Sequence, residues 1–239
     1  MKLWVTGSSG MLGKRAVEAA RRRGHDVIAT THWDCPIESL GVVMRLVHEA
    51  RPDAIINCAG SLPGAHPIDM IQANTLGPHV LANTKIRLVH MSTNCVFSGR
   101  TIRHTRSTDL PDPADLYGRT KLAGEVDAPH VLNVRGSFIG PECGFLHWLL
   151  TAQGEVEAWD NAWWNGTTAD IMAFKLVELA EGHQVGVVHV SSETEVSKGW
   201  MMQMFTDALN LPLEITHTEE PRIFRALEPD VILPATAKF

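Results

Sequence analysis

The only tyrosine of the chain lies in Tyr117-Gly118-Arg119-Thr120-Lys121, and a phenol four residues ahead of a lysine is a pair that can move a proton. An unperturbed phenol titrates near pH 10, too high for proton transfer at neutral pH. A neighbouring ammonium stabilises the phenolate and is expected to draw that value toward the working range. Helical i, i+4 spacing sets both groups on one face. Tyr-x-x-x-Lys is common by chance, so the pair gains weight from its surroundings: Ser92-Thr93 upstream, and Gly7-Ser8-Ser9-Gly10-Met11-Leu12-Gly13 near the N-terminus.

Glycines between a strand and a helix let backbone approach a pyrophosphate, while the amides of the helix N-terminus point at it. Gly7, Gly10 and Gly13 fit that role, with Met11 and Leu12 opening the helix; the spacing is a variant of the common dinucleotide fingerprint. Cys58-Ala59-Gly60 follow another apolar strand, at the carboxyl edge where open α/β sheets bind ligands, and their small size admits a close one. An acid after the second strand would bond the ribose 2'-hydroxyl and select NAD(H). Thr30-Thr31-His32 supply none, and Asp34 is placed past the ribose, beside the adenine. Lys14 and Arg15 either offer charge to a 2'-phosphate or are ordinary helix-surface residues. NADP(H) is therefore favoured slightly over NAD(H).

The elements that must hold these groups alternate. Apolar strands are predicted at 2–6, 26–30, 54–58, 87–91 and 131–134, with a late one at 187–190; helices are predicted at 11–23, 39–49, 68–83 and around Tyr117. This is an α/β pattern, a Rossmann-like doubly wound parallel sheet, with residues 1–136 binding the dinucleotide. Residues 137–239 are assigned mainly to a small C-terminal substrate lobe, including 145–160, the tryptophan-rich 159–164 and the tail from 195.

At 239 residues, 44% hydrophobic and 20% charged, the chain can bury a sizeable core, which excludes disordered and fibrous classes. Its net charge of -6 carries no long basic run, so nucleic acid is not an expected partner. No apolar stretch is long enough to span a bilayer, and Met1 leads directly into a strand-like run, not a signal peptide. Cys35, Cys58, Cys95 and Cys143 stand singly, arguing against zinc or disulfide frameworks and for reduced thiols in the cytoplasm. No metal site is expected.

With Gly7-x-x-Gly10-x-x-Gly13, Asn57-x-Ala59-Gly60, Ser92-Thr93 and Tyr117-x-x-x-Lys121 in order, the chain resembles the extended short-chain dehydrogenase/reductases, and more narrowly the dTDP-4-dehydrorhamnose reductase group. Arg51-Pro52-Asp53, Asn74-Thr75-Leu76-Gly77-Pro78 and Trp164-Asn165-Gly166-Thr167-Thr168 extend the match. The resemblance implies an NAD(P)-dependent oxidoreductase that reduces a 4-keto nucleotide-linked deoxysugar, in polysaccharide biosynthesis. It implies Tyr117 as proton donor or acceptor at the carbonyl oxygen, Thr93 bonding the same oxygen, and Lys121 lowering the phenol's pKa and holding the nicotinamide ribose. The partner is then a nucleotide sugar, with a homodimer as the open option for assembly.

The resemblance is not complete. Related 4,6-dehydratases carry Asp-Glu after the threonine where this chain has Asn94-Cys95, so dehydration loses support. Cys95 falls where related GDP-fucose synthases, which epimerise before reducing, carry a catalytic cysteine, with His147 as a loose match for the partner acid. The other reading makes Cys95 a small core residue. Trp164, Asn165 and Thr167, with Trp159 and Trp163, either face the sugar or base or glue the lobe to the sheet. The chain is shorter than expected of the group, which implies a trimmed lobe. A non-catalytic NAD(P)-binding sensor is the competing class.

Overall fold

The computed structural model describes residues 1–100 and 104–234. Its centre is a seven-stranded sheet of β1 (Lys2–Thr6), β2 (Asp26–Thr30), β3 (Ala54–Asn57), β4 (Arg87–Met91), β5 (Val131–Gly136), β6 (Gly186–Ser192) and β7 (Val231–Leu233), in the order β2-β1-β3-β4-β5-β6-β7. Every pairing is parallel. Continuous apolar runs such as Ala54-Ile55-Ile56 suit strands covered on both faces, and all four residues of β3 are buried.

Helices Met11–Arg22 and Ala169–Glu181 cover one face through Leu12, Ala16, Val17, Met172 and Leu176. Leu40–Ala50 and Gly77–Asn83 cover the other, with Val43, Val80 and Leu81 over Trp4, Ile55 and Leu88. The connection leaving β1 thus runs on one face and the connection leaving β3 on the opposite one. Their carboxyl ends part at a topological switch point, where such sheets bind ligands.

Two elements differ from expectation. The helix predicted over 68–83 is Pro67–Ile71 and Gly77–Asn83 joined by a π turn, Gln72–Leu76. That turn brings Asn74 inward, where its amide donates to Ser61 O (2.9 Å) and Thr120 Oγ1 (3.2 Å). The tail from 195, expected in the lobe, returns to the sheet as β7, because the short apolar run Val231-Ile232-Leu233 completes the edge beside β6. Positions 235–239 of that tail lie outside the described residues.

The lobe is built from helices Gly144–Thr151 and Lys198–Leu209 packed on the paired strands Gly154–Trp159 and Leu213–Thr218, around Leu149, Val156, Ala158 and Met202. A second small sheet joins Ala162–Trp164 to Val196–Ser197 and Ile223–Phe224. No helix among the described residues is long and apolar enough to cross a membrane.

Candidate active site

The glycine turn folds tightly at the end of β1. Gly7 has φ +63°, and a Cβ there would sit 2.7 Å from Ala59 Cα, so only glycine permits this approach of the two strand ends. Gly10 opens the first helix without a side-chain cap, leaving its amides free to face a ligand. Around this turn lies a cleft of about 490 Å³ walled by Gly7, Ser9, Gly10, His32, Glu38 and Cys58 to Ser61. Its glycine cradle and helix N-terminus fit the pyrophosphate of a dinucleotide.

One residue expected beside the adenine lies outside the wall of this cleft. Asp34 does not wall it: its carboxylate accepts from Thr31 N (2.8 Å) and Thr31 Oγ1 (2.7 Å), a local turn that holds it below the usual carboxylate range. Glu38 is the acid that reaches the wall instead. Nothing in its loop distinguishes it from a surface glutamate by sequence alone. Lys14 pairs with Glu142, and Arg15 with Glu142 (2.9 Å) and Asp170 (3.0 Å), so both cations are already engaged.

At the end of β4, the Thr93 hydroxyl accepts from Cys95 N at 3.1 Å and caps a short 3-10 turn. Helix Leu116–Ala123 begins at Asp115, whose carboxylate accepts from Gly118 N at 2.7 Å. Gly118 rests against the Cys95 carbonyl with no room for a Cβ, and Tyr117, next to it, shares one cavity wall with Thr93. The pair faces a cavity of about 320 Å³ whose wall includes Cys95, Phe138, Phe145, Trp163 and Trp164. A recess of about 80 Å³, walled by Leu12, Cys58 to Leu62, Tyr117 and Lys121, lies between this cavity and the dinucleotide cleft.

Lys121 is buried and its Nζ donates to Met91 O at 2.7 Å. Desolvation lowers it to about 8, with Glu125 and Cys58 pulling the other way. The expected lowering of the phenol by this lysine does not hold in this geometry. Desolvation dominates and pushes Tyr117 upward, aided by Cys95 and opposed by the bond from Thr93.

The predicted substrate residues separate into two groups. Cys95 and Trp164 wall the cavity, with Trp164 Nε1 donating to Ser137 Oγ at 2.8 Å. His147 does not: it is exposed, hydrogen-bonded to Pro141 O at 2.9 Å, because Phe145 and Leu149 take the inner side of its helix. A Cys95–His147 pair is therefore not assembled. Thr167 is fully buried beside β5, in a short pairing with Phe138. Asn165 is also withdrawn from the cavity: it donates to Ser192 O (2.8 Å) and Leu227 O (2.7 Å) and accepts from Leu227 N (2.9 Å), tying three segments together. Asn165→Ala would strand these backbone groups and is expected to lower stability by roughly 2–4 kcal/mol. Chemical denaturation with an unchanged midpoint would refute that role.

Sequence reading missed two cations on the cavity wall, Lys198 and Arg225. Lys198 Nζ lies 5.3 Å over the Trp159 ring, and desolvation together with Arg225 lowers its pKa. Arg225 Nη1 donates to Cys95 Sγ at 3.4 Å, and its Nε is buried with no hydrogen-bond partner. What unites the two is the meeting of a helix and a small sheet, so neither carries a local signal. Among the described residues no group of three or more His, Cys, Asp and Glu could hold a metal ion.

A parallel sheet with a glycine turn at its switch point, opening past a lysine toward Thr93 and Tyr117, defines a dinucleotide-binding α/β protein. Residues 1–222 match the RmlD substrate binding domain family, and the chain belongs to that family. It is 30% identical over 229 residues to a probable low-salt glycan biosynthesis reductase, Agl14, of Haloferax volcanii, covering 82% of this chain and 76% of that one. It is 30% identical over 220 residues to a dTDP-4-dehydrorhamnose reductase of Mycobacterium tuberculosis, covering 82% and 72%. The fold is shared with a dTDP-4-dehydrorhamnose reductase of Bacillus anthracis crystallised with NADP, at TM-score 0.85 and 19% identity, over 98% and 95% of the chains.

Proposed function

We propose that the protein is an NAD(P)H-dependent reductase of the 4-keto group of a nucleotide-linked deoxysugar. The observation that carries this reading is the Thr93–Tyr117 hydroxyl pair on the wall of the 320 Å³ cavity, joined to the dinucleotide cleft through the recess at Lys121. A bound nicotinamide dinucleotide supplies the hydride. Tyr117 gives its proton to the carbonyl oxygen, and Thr93 donates a hydrogen bond where negative charge develops on that atom. A phenol held protonated by desolvation suits the donor role, and Lys121 offsets the phenolate left behind while holding the nicotinamide ribose. Arg225 and Lys198 take the diphosphate of the nucleotide, and Trp163 and Trp164 the apolar surface of the sugar. The activities named for the relatives support the 4-keto deoxysugar as substrate, and four free thiols support the cytoplasmic setting. NADPH consumption across a panel of 4-keto nucleotide sugars tests the reading. Cofactor binding with no consumption of any member would favour a sensor.

For the cofactor, positions 30–32 offer no acid and admit a 2'-phosphate beside His32, while Lys14 and Arg15 face Glu142 and Glu38 on the same wall opposes an added negative charge. The NADP(H) preference proposed is accordingly small. NADPH is expected to bind at least as tightly as NADH, by less than about tenfold, one charge-assisted contact being worth about 1.4 kcal/mol at that ratio. Fluorescence titration showing strong NADH preference would overturn it.

A further inference from the structure

Beneath the catalytic wall three segments converge on one buried ion pair. Arg135 of β5 reaches Glu125 through Nη2–Oε2 at 2.7 Å and Nε–Oε1 at 2.9 Å, and the two side chains are only 5% and 7% exposed. Glu125 Oε1 also accepts from the Ser92 hydroxyl at 2.6 Å. Each partner stands next to something the proposed reaction uses. Ser92 precedes Thr93, Arg135 precedes Gly136 on the cavity wall, and Glu125 follows the helix of Tyr117 and Lys121, its amide bonded to Leu122 O at 3.0 Å. The Arg135 guanidinium is seated over the Phe97 ring at 5.2 Å, so the clamp has little freedom to move.

A buried ion pair contributes little net stability compared with apolar residues of the same size, because desolvation offsets the attraction. Its consequence lies in charge and geometry. The groups facing Lys121 come from three places: Tyr117 and Glu125 from its own helix and the turn after it, Cys58 from the end of β3, and His90 and the Met91 carbonyl from β4. Burial pushes Cys58 up to about 12 and holds His90 well below its ordinary value, so both are neutral at neutral pH, as is the Tyr117 phenol. Of these groups, Glu125 alone carries a negative charge, and the Arg135 guanidinium paired with it offsets part of the support that charge gives the ammonium.

We propose that Glu125, clamped by Arg135 and Ser92, is a positioning residue that locks the ends of β4 and β5 to the catalytic helix and keeps Lys121 in its ammonium form. The effect on turnover rests on the role given to Lys121 above; the effect on Lys121 itself does not. The sign follows from the cation. Lys121 is charged below its folded value of about 8 and loses its charge as pH rises through it, so removing Glu125 moves that loss to lower pH.

The test uses cofactor-free protein labelled with ¹³C-lysine, in which the Lys121 Cε resonance, assigned by its loss in Lys121→Met, is followed through pH. The wild-type midpoint is expected near 8. In Glu125→Gln it should fall by roughly half a unit or more, since the carboxylate that raises it is gone. Glu125→Asp should restore most of the shift, and Ser92→Ala, which keeps the carboxylate, should leave the midpoint in place. Should Glu125→Gln fail to fold around an unpaired guanidinium, Glu125→Gln/Arg135→Met is compared with Arg135→Met, so that only the carboxylate differs. An unchanged midpoint in whichever of the two comparisons folding permits would overturn the proposal. In parallel, the basic limb of the kcat/KM profile should follow the midpoint downward. A limb that stays while the resonance moves would leave the charge coupling standing and reject the catalytic reading of Lys121.

Discussion

Tyr117→Phe is expected to reduce turnover by a factor of about one hundred or more while leaving cofactor affinity nearly intact, the usual contribution of a positioned proton donor. The substitution keeps the ring that walls the cavity and the recess and removes only the hydroxyl that meets Thr93. The glycine turn and Cys58 to Ser61, which wall the proposed cofactor cleft, are untouched. The loss should therefore fall on kcat, with a residual rate from Thr93 and from the hydride donor held in place. Because the chain has no other tyrosine, no second phenol can substitute. Steady-state kinetics showing undiminished kcat would remove Tyr117 from the mechanism.

Arg225→Ala should raise KM for the nucleotide sugar roughly ten- to a hundredfold with a much smaller change in kcat, since a charge-assisted hydrogen bond is worth about 1.5–3 kcal/mol. The guanidinium faces the cavity with a buried Nε lacking a partner, and its nearest carboxylate oxygen, Asp115 Oδ2, is 3.9 Å away. An anion arriving there satisfies donors that the protein leaves open. Arg225→Lys should not recover the affinity, because an ammonium cannot reproduce the planar fork. Lys198→Met should weaken binding less, since that ammonium is already stabilised by the Trp159 and Phe145 rings. Unchanged KM in both single variants would move the diphosphate elsewhere.

The parts of the site that sequence made legible are those written locally. Gly7, Gly10 and Gly13 announce a turn because the backbone must approach Ala59, and Tyr117 with Lys121 announce a pair because a helix repeats every four residues. Apolar runs placed the first six strands of the sheet, and β7 escaped because three residues make no periodicity. Asp34 is tied into its own turn by Thr31, a competition that composition does not reveal. His147 was misplaced by the side of one helix turn, which the packing of Phe145 and Leu149 decides. Glu38, Lys198, Arg225 and the Glu125–Arg135 clamp were invisible, because each depends on segments far apart in the chain meeting in space.

Isotope transfer shows whether this cavity reduces the 4-keto carbon of a nucleotide-linked deoxysugar. The protein is incubated in ordinary water with a dTDP-4-keto-6-deoxysugar and NADPH deuterated at the transferring position, and the product is read by mass spectrometry and NMR. One deuterium is expected, bonded to the former 4-keto carbon, and it should be lost in step with turnover in Tyr117→Phe. A labelled cofactor that binds but passes no deuterium to that carbon, for any 4-keto nucleotide sugar supplied, would contradict the proposed reduction.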